Sequence, residues 1–274
     1  ILDWAQSNDV GFSSVVSMGS SADVDFGEIL DFLVSDQQTQ NILLYIEGIR
    51  NARSFMSSIR AAARMKPVIL VKVGRHAAGS RAAMSHTASL VGSDDAFDAA
   101  VRRAGVVRVQ TITQLFSAAK ALSCGFHPTG KRLAIVTNGG GPGVMATDRA
   151  ADLGLEMASL SDTTLAYLNE VLPSNWSHGN PVDIIGDAQA ERYQNAVKAC
   201  LEDPNVDGVL TILTPQAMTQ PLEAARVVID LSSQYRKPLL TCWMGEAQVA
   251  ESRDAFNLAR KPNFRTPEPA VEVF

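Results

Sequence analysis

At 274 residues, with 46% hydrophobic residues and a formal net charge of −5, the chain is long enough for two α/β domains or one large barrel and too apolar to stay disordered. Charges of both signs are interspersed with no basic stripe, and no run of eighteen apolar residues occurs, so neither nucleic acid nor a membrane is an expected partner. Cys124, Cys200 and Cys242 stand far apart without CxxC spacing and read as buried thiols of a reducing compartment, hence a cytoplasmic protein.

The opening ILDWA puts Ile1, Leu2, Trp4 and Ala5 on an apolar helical stripe with no capping residue before it, no initiating methionine and no signal-peptide pattern. The expectation is a chain that starts inside a helix and is a piece of something longer. FSSVVSM (12–18) reads as a strand from its β-branched residues. DFGEILDFLVSD (25–36) has helical spacing at Ile29, Phe32 and Leu33, and NILLYIE (41–47) is an apolar strand with a charged end. A helix over 51–65 and the strand PVILVKV (67–73) follow.

After Gly74 comes a long Gly/Ala/Ser/His segment, RHAAGSRAAMSHTASLVG (75–92). A connection of that length between strand and helix points to function. The helix SDDAFDAAVRRAG (93–105) has Ser93 as N-cap without a full capping box. VVRV (106–109) is a short strand and TITQLFSAAKALS (111–123) a helix. GFHPTGK (125–131) breaks the pattern with Gly, Pro and Gly, which sets domains at 1–126 and 127–274.

In the second domain RLAIVTN (132–138) reads as a strand running into GGGPG (139–143) and a helix VMATDRAADLG (144–154). A short strand near LEMASL, a helix from Ser161, the loop SNWSHGNPVDIIGDA (174–188), a helix over 190–202, a strand in VDGVLTILTP, a helix through 221–235 and a strand in KPLLTCWMG complete the reading. Regular alternation with short links predicts an α/β protein of two flavodoxin-like or Rossmann-like three-layer domains with parallel sheets.

Glycines between a strand and a helix let the backbone approach an anion, toward which the first free helix amides and the positive dipole end point. Asn138, Gly139, Gly140, Gly141 and Gly143 are therefore candidate phosphate-binding residues. No Lys-Ser/Thr follows, so this is not a Walker loop, and no acidic residue ends a second strand about twenty residues on, as a dinucleotide fingerprint requires. A transient phosphate fits better than a held nucleotide.

MSHTASLVG (84–92) sets His86 among small polar residues. An imidazole can ligate a metal, act as general base or accept a phosphoryl group. His76, His127 and His178 show no spacing with it that would build a zinc site, and no G-x-S-x-G elbow supports a Ser-His-Asp arrangement. A phosphoryl acceptor needs a carboxylate on its other ring nitrogen, and Glu47 ends a strand at the carboxyl edge, where open α/β sheets place their sites.

Taken in order, ILDWA, FSSVVSMGSSADVDFGEILDFLVSD, LLYIEGI, MSHTASLVGSDDAFDAAVRRAGVVRV and VTNGGGPGVMATD resemble the NDP-forming acyl-CoA synthetases, relatives of succinyl-CoA synthetase. The resemblance implies that His86, flanked by Ser85 and Thr87, is phosphorylated and that Glu47 holds its ring. It also implies that Asn138 to Gly143 form a helix entrance facing the phosphohistidine across a shared cleft, and that Asn180, Asp183 and Gly186 belong to a nearby loop. Ala88 replaces the motif's usual glycine, which bears on loop mobility and not on the histidine.

The family further implies a CoA-binding domain before this region and an ATP-grasp domain after it, and it leaves room for a homo-oligomer. Acyl-CoA and nucleotide would be bound through those other domains. The full-length enzyme would use CoA, ADP or ATP, Mg2+ and phosphate, with no cofactor resident in this region and no metal site of its own. A neighbouring branch carries a GNAT protein lysine acetyltransferase, and ILDWA, QTITQLFSAAKALS and FRTPE resemble it; there the region would sense acyl-CoA without turnover.

Overall fold

The computed structural model describes residues 2–7, 10–19, 23–75, 93–126, 128 and 130–274. The chain divides into two units, Ile1–Ser123 and Cys124–Phe274.

The first unit contains helices α1 (Leu2–Ser7), α2 (Phe26–Ser35), α3 (Ala52–Met65), α4 (Asp94–Arg103) and α5 (Ile112–Ser123). Its strands are β1 (Ile42–Ile46), β2 (Val68–Lys72) and β3 (Val107–Val109). A full capping box starts α2: the Asp25 carboxylate accepts the Gly27 and Glu28 amides, and the Glu28 carboxylate accepts the Asp25 amide. Such a cap contributes about 1 kcal/mol. The strands pair in parallel in the order β1-β2-β3. Ile42, Leu44, Ile46, Val68 and Leu70 pack on Leu30, Phe55, Ile59 and Val101 of α2, α3 and α4. Ile69 and Val71 face Leu115 of α5 on the opposite side, which gives three layers.

Two readings of this unit change. No strand forms at 12–18, where Val15 and Val16 are 55% and 52% exposed; β-branched residues favour a strand only when a ladder and a packed face reward it. In α1 Ala5 is buried but Leu2 is exposed, while Ile1 and the Trp4 side chain lie outside the described residues.

The second unit runs β4 (Arg132–Thr137), α6 (Gly140–Asp152), β5 (Glu156–Met157), α7 (Asp162–Val171), β6 (Val182–Asp183), α8 (Ala190–Glu202) and β7 (Gly208–Leu213). It continues with α9 (Pro221–Gln234), β8 (Leu239–Trp243), a 3-10 turn (Ala247–Val249), α10 (Ala250–Leu258), β9 (Asn263–Phe264) and α11 (Pro267–Val273). All pairings are parallel, in the order β5-β4-β7-β8-β9, with β6 also on β4. Val136, Val209, Leu213 and Trp243 pack on α7, α8 and α9 through Leu168, Tyr193, Val197 and Val228. The opposite face, Ile135, Leu210, Ile212 and Cys242, is fully buried, with α6 and α11 against it.

Here too the structure departs from the sequence reading. Helix α6 begins at Gly140, four residues before Val144, because Pro142 lies in the first turn, where a missing N–H costs nothing. The elements beyond Gly245 had no sequence expectation. Cys200 and Cys242 are buried, and burial pushes the Cys200 thiol up to about 12 and that of Cys242 upward as well. Cys124, expected to be buried, is half-exposed. Among the described residues no helix is long and apolar enough to cross a membrane.

Candidate functional site

In the first unit Glu47 directly follows β1 and is half-buried. The carbonyl of Ile46 before it accepts the Val73 amide at 3.0 Å, which ties this strand end to the end of β2. Ser85, His86 and Thr87, with Ala88, lie outside the described residues.

The same strand ends carry an ionic network that sequence reading missed. Lys72 continues the inward-facing series Val68 and Leu70 and is 6% exposed. Its Nζ lies 3.4 Å from Asp94 Oδ1, at the first residue of α4. The Arg108 guanidinium holds both Asp94 oxygens at 2.7 and 2.8 Å and reaches Asp98 at 3.2 Å. Both cations stand 5.4 Å from the Phe97 ring centroid. Burial disfavours ionised Asp94, but the bonds and charges of Arg108 and Lys72 outweigh it and hold its carboxyl below the usual value. The available signal was a lysine at an inward position of an apolar strand, a placement that demands a partner.

In the second unit the chain leaves β4 for β5 on one side and later crosses to β7 on the other. The carboxyl ends of β4 and β7 are thus the switch point at which open α/β sheets bind ligands. Asn138, 1% exposed, lies there. Its side-chain carbonyl accepts the Thr214 amide (2.7 Å) and hydroxyl (3.0 Å), and its NH2 donates to the Thr214 carbonyl (2.8 Å). The Asn138 side chain therefore clamps the loop after β7, and only its backbone is left to serve a ligand.

The glycines divide into distinct roles. The Gly139 amide donates to the Thr137 hydroxyl and the Gly143 amide to the Gly139 carbonyl. A Cβ at Gly139 would stand 2.9 Å from Thr214 Oγ1, and one at Gly143 3.0 Å from Thr137 Cγ2, so both positions need glycine for close packing. Pro142 has no N–H. What remains is the pair of Gly140 and Gly141 amides, without an acceptor among the described residues, at the positive end of a thirteen-residue helix. A Cβ at Gly141 would meet nothing within 4 Å, which leaves that amide open to approach.

The loop of Asn180, Asp183 and Gly186 borders this helix start. Asn180 is a structural plug: its Oδ1 accepts the Ile135 amide (2.9 Å), and its Nδ2 donates to the Leu133 (2.8 Å) and Ala158 (3.0 Å) carbonyls. The side chain thus fills the break between β5 and β6 on the edge of β4. Asp183 Oδ2 comes within 3.3 Å of a Cβ built at Gly140, while Oδ1 accepts the Ile185 amide. Gly186 lies under the Gln216 amide, 2.9 Å from where its Cβ would be. The arrangement can offer two amides and a helix dipole to an oxyanion, with one carboxylate alongside.

Two family models match consecutive stretches: a succinyl-CoA ligase like flavodoxin domain over residues 1–122 and a ligase-CoA domain over 133–266. The chain belongs to the NDP-forming acyl-CoA synthetase family. It is 42% identical to acetate–CoA ligase [ADP-forming] I of Archaeoglobus fulgidus, covering all of this chain and 39% of that protein. It is 36% identical to the alpha subunit of acetate–CoA ligase [ADP-forming] I of Pyrococcus furiosus, covering all of this chain and 59% of the subunit. A solved structure of the dinucleotide forming acetyl-coenzyme A synthetase 1 of Ca. Korarchaeum cryptofilum, in complex with phosphate and ADP, superposes with a TM-score of 0.91 at 33% identity. The match covers 99% of this chain and 59% of that one. The chain thus spans between about two fifths and three fifths of the length of these relatives, which are longer chains or a subunit named alpha.

Proposed function

We propose that the chain is the phosphoryl-handling part of a cytoplasmic ADP-forming acyl-CoA synthetase, joined to CoA-binding and ATP-grasp domains. Phosphate attacks the acyl-CoA thioester to give an acyl phosphate and free CoA. A ring nitrogen of His86 then takes the phosphoryl group and releases the acid, and ADP takes it from the histidine to give ATP. Glu47 accepts a hydrogen bond from the other ring nitrogen, fixing the tautomer that leaves the attacking nitrogen bare. The observation that carries this reading is the unbonded Gly140–Gly141 amide pair at a switch point, an oxyanion cradle worth about 1 kcal/mol or more per contact when desolvated.

In the full-length enzyme Mg2+ would enter with the nucleotide, and among the described residues of this chain no three His, Cys, Asp or Glu side chains converge as metal ligands. A reading as the acyl-CoA-sensing part of a protein lysine acetyltransferase draws no support from the ligase relatives. Two experiments test the proposal. Full-length parent protein incubated with labelled ATP should gain an acid-labile, base-stable label that His86→Ala abolishes; a label that survives the substitution overturns the role of His86. Inorganic phosphate titrated into this chain should bind, and Gly140→Asp, which adds a carboxylate at the amide pair, should weaken it at least tenfold; equal binding removes the anion site.

A further inference from the structure

The stretch of chain that carries His86 leaves the sheet at the end of β2 and rejoins the fold at the start of α4, and one group of charges holds both places. Lys72, the last residue of β2, reaches Asp94, the first residue of α4, at 3.4 Å across 22 positions of sequence. Arg108, on the adjacent β3, holds both oxygens of the same carboxylate at 2.7 and 2.8 Å and bonds Asp98, one turn further along α4, at 3.2 Å. A guanidinium fork accepts a carboxylate in one plane and one direction. The placement of the first turn of α4 is therefore defined relative to the ends of β2 and β3.

Little else fastens that turn. Ser93, in the N-cap position, makes no side-chain bond to the helix. Val101 is the one buried residue of α4 and lies two turns in; ahead of it, half-buried Phe97 stacks on Phe55 of α3 with ring centroids 6.5 Å apart. Stability does not account for the charges, because replacing a buried ion pair with apolar side chains of similar volume is often neutral or stabilising. Lys72, 6% exposed, stands where an apolar residue would continue the series Val68 and Leu70. What the ammonium and the guanidinium add is direction, which apolar packing lacks.

We propose that Lys72, Asp94 and Arg108 are positioning residues for phosphoryl transfer: they hold together the two ends of the 73–93 connection and so set the frame from which His86 is presented. The role rests on His86 being the phosphoryl acceptor and adds the residues that fix its place. Ends held at one separation restrict the chain between them, and a misplacement of about 1 Å in a reacting group can cost ~100-fold in rate.

The test follows, in a single turnover of the full-length parent protein, the transfer of label from ATP to His86. Lys72→Met keeps a long unbranched side chain and leaves Asp94, itself partly exposed, in the fork of Arg108, so the melting temperature should hold. The labelling rate should nevertheless fall about tenfold or more, and kcat for ADP phosphorylation should fall with it while KM for acyl-CoA and for ADP stays unchanged. Lys72→Arg, which restores a cation, should recover part of the loss. A Lys72→Met protein labelled at the natural rate, in a parent whose label His86→Ala abolishes, overturns the positioning role and leaves His86 in place. A slower rate accompanied by a lowered melting temperature, or by raised KM values, makes Lys72 a residue of stability or of substrate binding and overturns the role as well. Label that survives His86→Ala overturns the role of His86 and the positioning role together.

Discussion

The two units hold their strand ends by different chemistry. In the first, the ends of β2 and β3 are tied to the start of α4 by charges: Lys72 and Arg108 against Asp94 and Asp98. In the second, the ends of β4 and β7 are tied by neutral amides, Asn138 to Thr214 and Asn180 to the edge of β4. A buried ionic clamp is strong only while every partner is present and ionised. An amide clamp adds no net charge, so it leaves the positive end of α6 unopposed by its own fastening and free to attract an anion. The difference suits a scaffold in one place and the proposed anion site in the other.

Removing one partner from each clamp should separate the two kinds. Asp94→Ala leaves Lys72 and Arg108, 6% and 4% exposed, without their shared carboxylate. The expected loss is about 3–5 kcal/mol, read as faster hydrogen exchange of the β2 amides with the second unit unchanged. Acid should do the same to the natural protein. Asp94 is held below its ordinary value of 3.8, so its contribution is complete above that value and disappears as pH falls through the lowered one. Asp94→Ala should abolish that acid-side decline in β2 protection; an unchanged decline would assign it to other carboxylates.

Next in size is Asn180→Ala, which orphans the Ile135 amide and removes a donor from two carbonyls. A cost of about 3 kcal/mol is expected, confined to β4 and its neighbours in hydrogen exchange and insensitive to acid, in contrast with Asp94→Ala. Thr214→Val removes one hydroxyl bond to Asn138 and keeps both backbone bonds. Urea denaturation should show about 1 kcal/mol lost; a loss as large as that of Asn180→Ala would mean that the hydroxyl, and not the backbone, holds the clamp. Val15→Thr, on the exposed segment that forms no strand, should change stability by no more than about 0.5 kcal/mol, and a larger effect would show that this segment is packed after all.

Most elements were legible because their periodicity is local. The alternation of NILLYIE, PVILVKV and RLAIVTN with amphipathic helices fixes a parallel α/β architecture before any contact is known, and the spacing of Ile29, Phe32 and Leu33 marks α2. The same reasoning failed at FSSVVSM, where propensity is local but a strand needs a partner, and at the tail, where β9 has only two residues and carries no period. In the candidate site the glycine run was visible, yet its division of labour was not. Gly139 and Gly143 are required by the approach of Thr214 and Thr137, and only Gly140 and Gly141 keep unbonded amides.

The sequence by itself determined most of the strands and helices from α2 to β8, the glycine-rich helix entrance and the family, because each is written in residues close together in the chain. Only the tertiary structure decided which polar side chains are fastenings. Asn138 meets Thr214 across 76 positions, Asn180 meets Leu133 across 47, and Lys72 meets Asp94 across 22. A hydrogen bond depends on distances of about 3 Å and on direction, and sequence spacing does not encode such distances once the chain has crossed the sheet and returned.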